Sequence, residues 1–242
     1  MEKRKILVHI YLDKSFLFFL IIVILTGNFN QFISYFLLLI IHEMGHAITG
    51  IVEGYKLNKI TLYPYGGITI LDLPMNIPLK KELLILIMGP IMQIVGYFLL
   101  KNFFNYIKVY HYALLFFNLL PIYPLDGGKI VNIICGYFFN YLKCFYITFF
   151  ISISFIIVLL FYNVINFNLN IMLMLLIMLI KLIKTFKNRY YYYNRFLLER
   201  YLNNYSFNRI KRINDIMHFY RDRKHLINFK EECEVLKDYF RN

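Results

Sequence analysis

His42-Glu43-Met44-Gly45-His46 sets two imidazoles and a carboxylate within five residues. On a helix, residues i and i+4 share a face, so His42 and His46 can hold one Zn²⁺ between them. Glu43 is then placed to work on a water beside the metal. The pentapeptide lies inside an apolar run, residues 32–52. That run is long enough to cross a bilayer as a helix, which takes about 20 residues. Imidazoles and carboxylates at membrane depth are costly unless paired, metal-bound or facing water. Motif and burial cost point the same way.

A third ligand must come from elsewhere. Asn118-Leu119-Leu120-Pro121-Ile122-Tyr123-Pro124-Leu125-Asp126-Gly127-Gly128-Lys129 interrupts the apolar stretch 111–139 with two prolines and two glycines. A regular helix cannot hold these, so the stretch is expected to unwind in its middle. Unwound backbone at membrane depth is tolerated only inside protein or along a wet cavity. Asp126 sits in the break and is the best candidate for the third ligand. Two His and one carboxylate with an open fourth position is a catalytic arrangement; a structural zinc site would be closed. A second role, in which Asp126 caps the helix that restarts at Gly127, stays open. Asn118 is a candidate to bond a substrate backbone or to brace the break.

The elements that position these residues belong to a membrane protein. The chain has 242 residues, of which 60% are hydrophobic, 19% aromatic and only 17% charged. Mean hydropathy is +0.55. Apolar runs near 15–27, 31–53, 83–104, 111–139, 145–162 and 169–184 predict an all-α polytopic protein of about six transmembrane helices, with the fourth broken. The first run carries no signal-peptide cleavage pattern. Between the second and third runs, residues 57–73 are rich in Ile, Thr, Leu and Tyr and are split by Tyr63-Pro64-Tyr65-Gly66-Gly67. This predicts a short membrane-associated β-hairpin. Its extended edge could clamp an unwound substrate by strand addition, with Gly66 and Gly67 at the contact. Residues 1–14 are basic and partly alternating, an interfacial strand or helix. Gly89-Pro90 is expected to kink or loosen the third span.

Residues 1–184 are read as the membrane domain and 185–242 as a basic tail, helical and charged towards its end, with His218 and His225 on its surface. The net charge of +13 flanks the spans. By the positive-inside rule this puts both termini, the hairpin and the tail in the cytoplasm, and it argues against nucleic acid as a partner. Cys135, Cys144 and Cys233 are too scattered for a disulfide framework or a zinc finger.

Together, the His42–His46 pentapeptide, Leu62 to Gly67, Gly89-Pro90, Asn118 to Lys129 and Arg195-Phe196-Leu197-Leu198-Glu199-Arg200 resemble the site-2 protease family of intramembrane zinc metalloproteases. They are nearest to its sporulation branch, the stage IV sporulation protein FB type. The resemblance covers roughly residues 10–202. It implies a six-span protease that cleaves a membrane-associated pro-sigma factor, in the mother-cell membrane around a forespore. It implies His42, His46 and Asp126 as zinc ligands and Glu43 as the acid/base. Gly66, Gly67, Asn118, Pro121 and Pro124 then fall to substrate binding. An inhibitory membrane partner is implied too, and a homo-oligomer is left open. Two departures stand out. The branch carries a nucleotide-binding CBS domain after its last span, and the tail past Tyr205 shows no convincing one. Gln93 stands where many of the family carry Asn.

Three rival readings are weaker. A metalloprotease with a downstream Glu ligand would need Glu53, Glu82 or Glu199, all at or beyond the ends of the spans. A zinc transporter would need ligands in the last two spans, which supply none. An inactive protein that sequesters a partner would not need the full constellation that is present.

Overall fold

The computed structural model describes residues 10–63, 66–203, 205, 207, 209–227 and 230–241. The chain divides into two compact units, Met1–Leu73 with Leu84–Asn118 and Pro74–Leu83 with Leu119–Asn242.

In the first unit, α1 (Lys14–Thr26) leads through Gly27 into α2 (Phe29–Val52). Gly27 has φ +70°, a turn conformation that glycine takes without strain. At 24 residues α2 is about 36 Å long, enough to cross a hydrocarbon core of about 30 Å. Its buried stripe runs Leu38, His42, Gly45, His46 and Thr49, at helical spacing, so the polar motif faces inward. A three-stranded sheet follows. β1 (Ile10–Leu12) pairs in parallel with β2 (Leu57–Tyr63), and β2 pairs antiparallel with β3 (Gly66–Leu71), in the order β1-β2-β3. The expected hairpin is therefore present, although Pro64 and Tyr65 of its turn lie outside the described residues. The basic segment 1–9 lies outside them too. The core is built on Phe16, Leu38, Leu39, Ala47, Ile60, Leu62, Ile107 and Leu114.

α3 (Leu79–Leu100) runs unbroken through Pro90, so the expected interruption is confined to local hydrogen bonding. Gly45 and Gly89 make the crossing of α2 and α3 tight. A Cβ on Gly45 would lie 2.9 Å from the Gly89 Cα, which is overlap. α4 (Ile107–Leu119) completes the unit.

In the second unit, residues 120–125 are irregular and α5 (Asp126–Phe138) restarts the helix, as the proline and glycine pattern predicts. α6 (Tyr141–Ile165) and α7 (Leu169–Lys187) follow; Asn140 and Asn168 cap their first turns through side-chain oxygens. Among the described residues, α2, α3, α6 and α7 are long and apolar enough to cross a membrane. Large apolar side chains such as Phe98, Leu99, Phe150, Phe161 and Val164 stand exposed on these helices, which suits a lipid surround. α1, α4 and α5 have 13 residues each, about 20 Å, short of a full span taken singly.

The chain past α8 (Arg189–Leu202) departs from the expected helical tail. β4 (Ile210–Ile213) pairs in parallel with β5 (Lys224–Ile227), β5 pairs antiparallel with β6 (Lys230–Glu231), and among the described residues helix is confined to a 3-10 turn at Ile216–His218 and to α9 (Glu232–Arg241). Short charged strands lack the long alternating pattern that marks a sheet, so composition concealed them. Tyr193, Phe196, Leu197, Phe219, Ile227 and Leu236 form the core here. The segment Arg195 to Arg200 has a structural job. The Glu199 carboxylate accepts from the backbone N–H groups of Met75 (2.7 Å) and Asn76 (3.2 Å). Arg200 is buried and donates to Asn76 Oδ1, Glu232 Oε1 and the carbonyls of Tyr220 and Arg223.

His225, expected on the surface, is fully buried, whereas His218 is exposed. His225 Nε2 accepts from the Tyr220 N–H at 2.9 Å, and Nδ1 lies 3.2 Å from the Glu232 carboxylate. A second proton on Nε2 would face that N–H. Burial pushes the His225 pKa down, and Arg200 and Arg223 push the same way against Glu232. Burial alone would raise the pKa of Glu232, but its bond from His225 and the charge of Arg200 outweigh this and hold it below the usual value. For both groups the unfolded state binds more protons, so stability is lost as pH falls, beginning near 6.5 for the histidine. We expect residues 205–241 to resist limited proteolysis at pH 7.5 and to be cut at pH 5.5. Equal protection at both values would contradict this.

Candidate metal centre

α2 projects His42 and His46 from one face, one turn apart, and buries both. His46 Nδ1 lies 2.8 Å from the carbonyl of Ile85 in α3. A carbonyl only accepts, so Nδ1 carries the proton and Nε2 keeps its lone pair. His42 Nδ1 lies 3.0 Å from Gln93 Oε1, while Gln93 Nε2 donates to the His111 carbonyl at 3.0 Å. That second bond fixes the Gln93 amide with its oxygen towards His42, which sets the same tautomer there. Tyr97 stacks on the His111 ring at 4.3 Å.

The two Nε2 atoms then face each other 3.2 Å apart. Two nitrogens bonded tetrahedrally to one zinc at about 2.05 Å are separated by about 3.3 Å. Two lone pairs at this distance repel each other, and a cation between them removes the repulsion. The donor set therefore fits zinc.

Gln93 is fully buried, and its amide oxygen decides which nitrogen of His42 is available. Gln93→Leu is expected to weaken zinc binding by about 10–100-fold, measured by competition with a chelator. Unchanged affinity would mean that His42 is oriented by its helix alone.

Glu43 is buried on the adjoining face, against the hairpin. A Cβ on Gly67 would come within 2.6 Å of the Glu43 Cδ, so glycine is needed there to admit the carboxylate. Gly66 opens β3 beside it. Asn118, in the last turn of α4, brings Nδ2 to 3.4 Å from His42 Nε2, on the metal-facing side of the ring. Gly89 faces the other imidazole: any side chain there would run into the His46 ring.

Asp126 is buried in the first turn of α5. The cap position is Leu125, with no side-chain cap bond, so capping does not explain the aspartate. Lys129 approaches it at 3.4 Å from the exposed side. Gly127 and Gly128 let this turn pack on the break, since a Cβ at either would strike backbone of residues 119–123. Ser152 of α6 braces the same segment, accepting from the Tyr123 N–H at 2.9 Å while its own proton goes to the Thr148 carbonyl at 2.7 Å. Pro121 and Pro124 lie in this irregular segment and shape its backbone. His42 and His46 each offer a buried ring nitrogen, and Asp126, in the second unit, offers a buried carboxylate oxygen.

The sequence reading gave no role to His111, Thr69 or the Ile85 carbonyl, and noted Gln93 only as a departure. Gln93 had a signal, as an amide inside the apolar run of α3. The carbonyl had none, because any residue type supplies one.

A histidine pair on a helix of membrane-spanning length, with a carboxylate beside it, is a donor set suited to a metal ion. Comparison with known proteins points to a family. Residues 31–102 match Peptidase family M50. Stage IV sporulation protein FB of Bacillus subtilis is 30% identical over 192 residues, covering 74% of this chain and 66% of that protein. A zinc metalloprotease of Methanocaldococcus jannaschii is 32% identical over 186 residues, covering 68% of this chain and 54% of that one. The chain thus spans just under two thirds and about half the length of these curated relatives. The solved site-2 protease of M. jannaschii superimposes with a TM-score of 0.56 at 28% identity, over 76% of this chain and 94% of that chain. In sequence and in fold the chain is thus similar to the site-2 protease family of zinc metalloproteases.

Proposed function

We propose that this protein hydrolyses a peptide bond in a membrane-associated protein. The observation that carries the proposal is the pair of buried imidazoles with facing Nε2 atoms and Glu43 beside them. His42, His46 and Asp126 would hold the metal, and a bound zinc would supply Lewis acidity to a carbonyl and to water, lowering the pKa of the water towards about 7. Glu43 takes the proton of the attacking water and returns it to the leaving amine. Asn118 Nδ2, next to the metal-facing nitrogen, donates to the carbonyl oxygen as charge develops there. The edge of β3, with Gly66 and Gly67, pairs with the unwound substrate, since a helical peptide bond is shielded from attack.

The similarity to the Bacillus sporulation protein supports a pro-sigma factor as the substrate, an inhibitory membrane protein as a regulator, and the membrane around a forespore as the location. Lysines at residues 3, 5, 14, 56, 59, 80 and 81, against few in the alternate loops, support cytoplasmic termini and a cytoplasmic tail beyond residue 184. Co-expression with pro-sigma factors from the same genome tests the substrate. Wild type should produce a shorter product on a gel and Glu43→Gln should not. Full-length pro-sigma factor in every pairing would overturn that substrate class.

A further inference from the structure

β3 is an edge strand whose side chains alternate: Ile68 and Ile70 point outward, and Gly67, Thr69 and Leu71 line the other face. That inner face lies along α2. Gly67 makes room for the Glu43 carboxylate, and Leu71 packs where Gly50 has no side chain. Between them stands Thr69, the polar member of the face. Its hydroxyl lies 2.6 Å from Glu43 Oε2 and 3.1 Å from the Glu43 carbonyl. It has one proton, and the shorter, charge-assisted bond to the carboxylate is the stronger.

From this geometry we infer that Thr69 is a positioning residue for Glu43, a role that rests on the reading of Glu43 as general base. A glutamate has three side-chain torsions to fix. The Thr69 bond ties down Oε2, and the glycine opposite gives the carboxylate its place beside β3. Proton transfer needs the base within hydrogen-bond reach of the water, so an untethered carboxylate would spend most of its time misaligned. Thr69 also links the strand edge to the base. A peptide that pairs with β3 fixes the backbone at Thr69, and with it the hydroxyl that holds Glu43.

The test uses purified, zinc-loaded protein and acetohydroxamate, a zinc ligand whose hydroxyl bonds to a neighbouring carboxylate. Thr69→Val keeps the β-branched shape the strand favours and removes the hydroxyl; Thr69→Ser keeps the hydroxyl. Thr69→Val should bind acetohydroxamate about tenfold more weakly at unchanged zinc content, as loss of an outer-shell partner does. Thr69→Ser should restore binding. On a cleaved substrate, kcat should fall by about 10–100-fold in Thr69→Val with KM held. Wild-type affinity in Thr69→Val, or equal loss in Thr69→Ser, would overturn the role. Glu43→Gln is the control. A loss there with none in Thr69→Val removes only the role of Thr69, whereas no loss in Glu43→Gln removes the general-base reading as well.

Discussion

Glu43→Gln is expected to keep zinc at wild-type stoichiometry and to cleave nothing detectable. Glutamine has the size of glutamate and can still accept from Thr69 through its amide oxygen, so the packing against Gly67 survives. What is lost is the capacity to take a proton. General acid–base catalysis contributes about 10²–10⁴-fold, and here one carboxylate serves both as base towards water and as acid towards the amine. The expected loss is at the upper end of that range. Metal content and cleavage, measured on one preparation, separate this from misfolding. Zinc retained with cleavage retained would show that another group moves the proton.

Asp126→Ala is expected to lose the metal itself. An aspartate in the first turn of a helix contributes only about 0.3–1 kcal/mol through the helix dipole, so α5 should persist without it. Loss of a ligand is graver. Removing an outer-shell partner already lowers metal affinity about 10–100-fold, and removing a ligand should exceed that. Zinc content after dialysis is the readout, with circular dichroism as the check on folding. Bound zinc at wild-type stoichiometry would leave Asp126 a dipole partner with Lys129 beside it and would call for a different third ligand.

Much of the first unit was legible because its constraints are local. His42 and His46 are four residues apart, and helical geometry alone puts them on one face. The hairpin followed from alternation around a Pro/Gly turn, and the break at residues 120–125 from residues that cannot be helical. The pairing of β1 with β2 was less visible, since three residues carry no period of their own. The hold on each imidazole was legible only in part. Gln93 stands out as a polar residue in an apolar helix, but the Ile85 carbonyl is invisible in any sequence. Thr69 looked like an ordinary strand former; its role depends on which face of β3 meets α2, and register decides that.

The second unit was read less well beyond α8. A buried Arg200 that bonds to Asn76 and Glu232 spans more than a hundred residues in one direction and thirty in the other. Nothing local announces such a network. In composition, Arg200 and Glu232 look like solvated charges, and His225 looks like a surface histidine. The sequence similarity of Arg195 to Arg200 to a family pattern marked the place without explaining it. The explanation is a clamp on the backbone of Met75 and Asn76.

The measurement that bears most directly on the central claim is metal dependence in a reconstituted membrane. The purified protein is placed in vesicles with a membrane-tethered pro-sigma substrate, and cleavage is followed before chelation, after chelation and after zinc is restored. Cleavage that stops on chelation and returns with stoichiometric zinc is the expected result. Cleavage that continues after the metal is stripped would contradict the account, because the facing imidazoles of His42 and His46 would then have no part in the chemistry.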